Sequence, residues 1–147
     1  MPLLAMLIAI VVGAMLSAQV GLNAQVRTYL GHAAYAALAN FLVGTLALLV
    51  FAAMARAPLP SGQQLSTVPW WAWLGGVLGA TYVAASTILG PILGGAALVA
   101  LVVAGQMGAA LAIDHYGLLG FPVHPVNLLR LTGALLVVVG VGLLIKR

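Results

Sequence analysis

The chain alternates between long apolar runs and short polar breaks. A membrane-spanning helix needs about 20 mainly apolar residues, at a rise of about 1.5 Å per residue. Residues 1–26 carry no charged side chain, and after Arg27 the next charge is Arg56. The pattern predicts a first span over residues 3–24 and a second over residues 33–54.

Residues 57–69 are the one stretch with the composition of an ordinary polar loop. They combine prolines with a Ser-Gly pair and a pair of glutamines, which are typical of loops. Trp70, Trp71 and Trp73 follow at once. Tryptophan is enriched at the membrane–water interface, because its ring is apolar and its N–H needs a polar partner. We therefore expect this loop to end at a membrane surface.

Residues 70–113, after the polar loop, carry no charged side chain over 44 residues. One helix of that length would measure about 65 Å, twice the hydrocarbon core of a bilayer. The run must therefore break, and Gly90-Pro91 followed by Gly94-Gly95 marks the place. We predict a third span over residues 71–89 and a fourth over residues 94–113, which ends at Asp114.

The last part of the chain predicts a loop over residues 116–127 and a fifth span over residues 128–145. Arg130 near its start and Lys146-Arg147 at its end can extend their charged groups to the two surfaces. The expected fold is all-α: an integral membrane bundle of five transmembrane helices in a single domain over residues 1–147.

Composition supports a membrane protein and excludes several functions. Charged residues are 4% of the chain and hydrophobic residues 65%, whereas a typical soluble domain has about 25% charged residues. Lipid is therefore the expected partner for most of the surface. The five basic residues are scattered, so we expect no nucleic-acid partner. No cysteine, phosphate-binding loop or catalytic motif is present, so we expect no enzyme, metal or cofactor.

The distribution of charge leaves the orientation open. Five spans would place Arg56 and Arg130 on the side of the N-terminus, and Arg27, Lys146 and Arg147 on the other. Orientation follows an excess of basic residues on one side, and here the excess is a single residue. Either the chain has one fixed orientation, or copies insert both ways up and pair head to tail, which would create an inverted repeat.

Polar residues inside the spans are the candidates for function, since a polar side chain in hydrocarbon is costly unless it finds a partner. If their helix faces converge, they line a cavity suited to a neutral or weakly polar solute. The alternative is that they form hydrogen bonds between helices with a structural role only. The candidate substrate-binding residues are Gln19, Asn23, Asn40, Trp71, Tyr82, Ser86 and Gln106.

Asp114 carries the only acidic side chain in the sequence. It can act in coupling or gating, or it can form an ion pair with Arg130 or Arg56 on the expected same side. We favour the ion pair, and the coupling role stays open.

Three segments resemble the YdcZ-like family of small bacterial inner-membrane proteins, a branch of the drug/metabolite transporter superfamily. They are PWWAWLGGVLGATYVAAS at 69–86, GAALVALVVAGQMGAALAIDHYGLLG at 95–120 and RLTGALLVVVGVGLL at 130–144. The resemblance extends over nearly the whole chain. The positions that match the family pattern are Trp71, Gly76, Gly79, Tyr82, Gly105, Gln106, Asp114, Gly117 and Arg130.

The resemblance implies a five-helix unit that in some members pairs antiparallel and in others occurs as two proteins or as a fused ten-helix chain. It also implies transport, without naming a substrate. The leading hypothesis is a secondary transporter of small organic solutes in the bacterial inner membrane, which acts as an antiparallel homodimer, or with a homologous subunit, by alternating access. The alternative is a membrane scaffold or accessory subunit that transports nothing.

Overall fold

A computed structural model describes residues 2–146, with Pro2 described for its backbone only, and every regular element in that range is helical. Five helices are long and apolar enough to cross a membrane, which confirms the expected all-α membrane bundle. They are α1 (Pro2–Leu30), α2 (Ala33–Met54), α4 (Leu74–Leu93), α5 (Gly95–Tyr116) and α6 (Leu128–Ile145). Helix α3 (Gly62–Ser66) and the 3₁₀ segments Trp70–Trp73 and Leu118–Gly120 are short.

The helices divide into two compact units, of which the first ends at Ile92 and the second begins at Leu93. In the first unit α1 packs against α2. The residues buried there include alanines of α2 and the pair Val20 and Asn23 of α1. Small side chains let two helices approach closely in lipid, where close packing replaces the hydrophobic effect. The buried alanines are Ala33, Ala36 and Ala37.

Helix α4 contributes a buried face of mostly small or polar residues to the first unit. Thr87 is fully buried and Ser86 is 3% exposed. Near the other end of α4, a Cβ atom added to Gly79 would lie 3.6 Å from the ring tip of Phe41 on α2. By contrast, the large apolar side chains of α1 and α2 are mostly exposed, with Leu3 at 69% and Leu49 at 61%. Those surfaces face lipid.

The second unit consists of α5, α6 and the loop between them, and the two helices pack against each other. Gly117 ends α5 in the left-handed conformation, with φ of 61°. The backbone N–H of His124 then donates to the carbonyl of Asp114 over 2.8 Å. The loop is therefore folded back onto the end of α5.

Helix ends agree with the predicted spans at two helices and differ at the others. Helices α2 and α6 coincide with the predicted ranges 33–54 and 128–145. Helix α1 continues to Leu30, six residues past the predicted end, because Gly31 turns the chain with φ of 76° only there. The imidazole of His32 then accepts from the N–H of Ala34 and caps α2. Hydropathy marks where lipid ends, whereas backbone caps mark where a helix ends.

The helix break lies at the second of the two predicted signals, Gly94-Gly95, and not at the first, Gly90-Pro91. Helix α4 passes through Pro91 and ends at Leu93, and α5 runs from Gly95 to Tyr116 rather than from 94 to 113. Gly94, with φ of 82°, is the residue that ends the helix. Proline removes one backbone hydrogen bond, and a membrane helix continues through it when the freed carbonyl finds another donor.

The predicted polar loop contains one short helix, α3. Ser61 caps it by accepting from the N–H of Gln64, whose side chain accepts in turn from the N–H of Ser61. The three tryptophans that follow lie in the 3₁₀ segment and are all exposed.

Candidate functional site

A line of polar residues follows one face of α1 at intervals of four residues: Gln19, Asn23 and Arg27. Residues four apart lie on the same helix face, so this polar stripe extends over about 12 Å. Asn23 is buried, and Gln19 and Arg27 are half-buried. The stripe therefore faces the interior of the first unit, and each of its members has a different environment.

Gln19 contacts α2 at the first end of the stripe. Its Nε2 donates to Oδ1 of Asn40 over 3.4 Å, longer than the usual range of about 2.7–3.2 Å for such bonds. The pair borders a groove of about 350 Å³ that Gly44 and Thr45 also line. Small-molecule sites commonly measure about 300–1,000 Å³. A weak amide pair beside a groove of this size can exchange its partner for a solute.

Asn23 lies in the middle of the stripe and is 5% exposed. Its amide makes no hydrogen bond to another residue of the described range 2–146. Within that range, however, no fully enclosed side-chain nitrogen or oxygen lacks a partner. The amide of Asn23 must therefore keep contact with a narrow opening, where its N–H and carbonyl groups remain available.

Arg27 is the last residue of the stripe, and its side chain contacts α4. Its Nη1 donates to the backbone carbonyl of Thr87 over 3.4 Å. In an α-helix this carbonyl would accept from the N–H of the residue four positions later. That residue is Pro91, which has no N–H. Arg27 thus provides the donor that Pro91 lacks, and this explains how α4 continues through a proline.

A backbone carbonyl does not neutralise the charge of Arg27. The sequence has one acidic side chain, Asp114, and that carboxylate is bound to Arg130. The guanidinium group has five N–H donors, and within residues 2–146 the carbonyl of Thr87 is its one hydrogen-bond acceptor. Within the described residues, Arg27 therefore has no carboxylate partner and several N–H donors without an acceptor.

The ion pair between Asp114 and Arg130 lies in the second unit, where it joins α5 to α6. Arg130 Nη2 donates to Asp114 Oδ2, and Nη1 donates to the carbonyl of His124 over 2.7 Å. The Arg130 side chain is 33% exposed and that of Asp114 is 24% exposed. Asn127 caps α6 by accepting from the N–H of Arg130. This arrangement fixes the loop and satisfies both charges.

The other candidate residues do not join the stripe by hydrogen bonds. Ser86 is buried, and its hydroxyl donates to the carbonyl of Val83 in its own helix. Tyr82 is half-buried, and Trp71 is 48% exposed. Gln106 lies on an exposed position of α5 in the second unit. The structure therefore brings Gln19 and Asn40 together, with Asn23 one turn along α1.

Sequence reasoning missed the roles of Arg27, Thr87 and Pro91. Arg27 counted only as a marker of orientation, and Pro91 only as a helix breaker. Two signals were present in the sequence. The interval of four residues continues from Gln19 and Asn23 to Arg27, and Thr87 lies four residues before Pro91. Neither signal shows that the two helices meet.

Comparisons with known proteins agree with this architecture. A family model described as "Putative inner membrane exporter, YdcZ" matches residues 4–143. A search of curated proteins and a search of solved structures found no match. The matched range covers all but the two ends of the chain; it includes α2, α4 and α5 in full and most of α1 and α6. The chain is therefore a multi-pass inner-membrane protein that belongs to the YdcZ family.

Proposed function

We propose that the protein is a secondary transporter that moves small organic solutes across the inner membrane as an antiparallel dimer by alternating access. The observation that carries the proposal is the amide pair of Gln19 and Asn40 beside a groove of about 350 Å³ between α1 and α2. The family description, an inner-membrane exporter, supports the same class of function.

The length of the amide hydrogen bond favours solute binding over a structural link. Hydrogen bonds between membrane helices contribute about 0.6 kcal/mol on average, and at 3.4 Å this one lies at the weak end. Thr45, on the same groove, donates to the carbonyl of Phe41 in its own helix. The groove therefore offers two amides whose mutual bond a solute can replace at little cost.

Two features support pairing of identical chains. Gly13, Ser17 and Gly21 form an exposed face of α1, where an added Cβ atom on either glycine would meet nothing within 4 Å. Such small-residue faces let membrane helices pack closely. The near balance of basic residues between the expected two sides also lets copies insert in both orientations. A dimer of opposite orientations would reproduce the inverted repeats of larger transporters.

Counterflow into proteoliposomes tests transport without knowledge of the coupling ion. Vesicles loaded with unlabelled neutral amino acids, sugars, nucleosides and organic acids are diluted into the same mixture with isotopic labels, and mass spectrometry measures the labels that enter. We expect saturable entry of one solute class. Asn40→Leu should lower its rate about tenfold, the effect of one lost hydrogen bond of about 1.4 kcal/mol.

Thr81→Ala is the matched control for this experiment, because Thr81 lies at an exposed position of α4 and its hydroxyl donates to the carbonyl of Val77 in the same helix. It should transport like the wild type. Vesicles that accumulate no more label than empty ones would indicate a scaffold. Flux that rises linearly with concentration would indicate a channel.

Reporters fused to the C-terminus test the paired orientation separately. One reporter is active only inside the cell and the other only outside. Dual insertion predicts signal from both, whereas signal from a single reporter would reject the antiparallel homodimer. Moving one basic residue from one side to the other should then shift the ratio of the two signals.

A further inference from the structure

Within residues 2–146, the charge of Arg27 has no counter-charge. The chain has one acidic side chain, and Arg130 binds it. A second copy of the chain would bring the same single carboxylate, already bound to its own Arg130. A half-buried cation near lipid is costly unless an anion or water compensates it. Within residues 2–146 no carboxylate binds Arg27, so its charge is left to water or to an anion from another molecule.

The position of Arg27 is suited to an anion. Its contact with the Thr87 carbonyl uses one nitrogen, Nη1, so Nε and Nη2 retain donors. A guanidinium group can present two parallel N–H donors to a carboxylate or a phosphate. The contact with Thr87 can persist while the anion binds, so α4 need not lose the donor that replaces the missing N–H of Pro91.

Asn23 is the independent observation that points to the same ligand. It is 95% buried, since 5% of its surface is exposed, and within residues 2–146 its amide makes no hydrogen bond. It lies one helical turn from Arg27 on the same face, a rise of about 6 Å. Its amide N–H group can donate to an oxygen atom of a ligand that Arg27 holds.

We propose that Asn23 and Arg27 form a binding site for an oxyanion, a carboxylate or phosphate group. The group is carried either by a small organic anion or by a lipid headgroup. Only the first case rests on the proposed transport function, and it would make organic anions the substrate class, in place of the neutral solutes expected from the amides alone. Gln19 and Asn40 would then contact the uncharged part of that solute.

Binding is tested on the purified full chain in dodecyl maltoside, a detergent without phosphate. Isothermal titration calorimetry compares benzoate with benzamide, which has the same shape and no charge, and adds acetate and inorganic phosphate. Phosphatidylglycerol is compared with diacylglycerol, which lacks the phosphate. We expect benzoate to bind at least about tenfold more tightly than benzamide, the effect of one charge-assisted contact.

Three variants separate the site from general effects of charge. Arg27→Gln should lose the preference for benzoate, and Asn23→Ala should weaken benzoate binding. Arg56→Gln also removes one positive charge, from an exposed position after α2, and should bind like the wild type. If Arg27→Gln does not fold, Arg27→Lys provides the test, since it keeps the charge and should keep the preference at lower affinity.

Each outcome decides a separate point. Binding of benzoate, acetate or inorganic phosphate that depends on Arg27 supports a solute site. Binding of phosphatidylglycerol alone supports an oxyanion site for lipid and overturns the organic-anion substrate. No preference for any charged probe overturns the site itself. Counterflow is independent of these results. Uptake of neutral solutes without anion binding would support the transport function and overturn the oxyanion site. Anion binding without uptake would support the site and overturn the transport function.

Discussion

Two arginines near the ends of helices have opposite environments in the two units. In the second unit, Arg130 binds a carboxylate and a carbonyl, and every charge of the Asp114–Arg130 pair has its partner. In the first unit, Arg27 contacts one carbonyl freed by Pro91 and, within residues 2–146, no carboxylate. A charge alone therefore does not identify a binding site in a membrane protein. What matters is whether the protein itself compensates that charge.

The Asp114–Arg130 ion pair in the second unit has the features of a structural contact. It joins α5 to α6 and holds the loop through the carbonyl of His124. The described part of the first unit has no equivalent ion pair, and its polar stripe is held by hydrogen bonds of 3.4 Å at either end. We therefore expect substitutions in the second unit to affect stability, and substitutions in the first to affect solute binding more than stability.

The largest expected effect is that of Arg130→Ala. It removes two charge-assisted hydrogen bonds and leaves Asp114 without its partner, which should lower the free energy of unfolding by about 3 kcal/mol after allowance for partial exposure. Titration with sodium dodecyl sulfate in maltoside micelles measures it. Arg27→Ala is the matched variant and should cost about 1 kcal/mol, the scale of one hydrogen bond between membrane helices. Equal losses would show that the two arginines contribute equally to stability.

Gly117→Ala should lower the free energy of unfolding by about 2 kcal/mol. The left-handed conformation costs an alanine about 1–2 kcal/mol, and the new Cβ would lie 2.6 Å from Cγ2 of Val123, a branched side chain with little freedom to move. Gly31→Ala in the first unit isolates the conformational part, because Gly31 also has positive φ but no atom within 4 Å. It should lose only about 1 kcal/mol. A loss at Gly31 as large as that at Gly117 would contradict the predicted clash with Val123.

The smallest expected effect is a coupling between Arg27 and Pro91. In Pro91→Ala the new N–H can bond to the Thr87 carbonyl, so that removal of Arg27 then matters less. A double-mutant cycle with Arg27→Gln should give a coupling energy of about 0.6–1 kcal/mol in the free energy of unfolding. Pro58→Ala, in the exposed loop before α3, is the control and should show no coupling. A coupling of zero for Pro91 as well would mean that Arg27 does not serve the freed carbonyl.

The membrane class, the number of spans and the bounds of two helices could be predicted from the sequence. Each follows from a local property, because apolar side chains partition into lipid whatever their neighbours are. Helices α2 and α6 also end where strong changes in polarity coincide with backbone caps. At the C-terminal ends of α1 and α4, the change in polarity and the backbone cap lie at different residues. Hydropathy alone therefore gave the wrong end for both helices.

The candidate site could be predicted only in part. The polar residues of α1 and Asn40 of α2 were visible because polar side chains are rare in such helices. The contact between Arg27 and Thr87 was not, because it joins residues 60 positions apart and depends on how α1 and α4 lie together. Likewise, no local signal shows that Asn23 is buried without a hydrogen bond while Ser86 donates within its own helix.

By itself, then, the sequence determined that this chain is a membrane protein with five spanning helices. It also determined that a single carboxylate side chain is present with four arginines and a lysine. Only the tertiary structure decided which arginine receives that carboxylate. Solvent preference is a property of each segment, and can be summed along the chain. The pairing of charges is a property of distances between segments, and these are set when the helices pack.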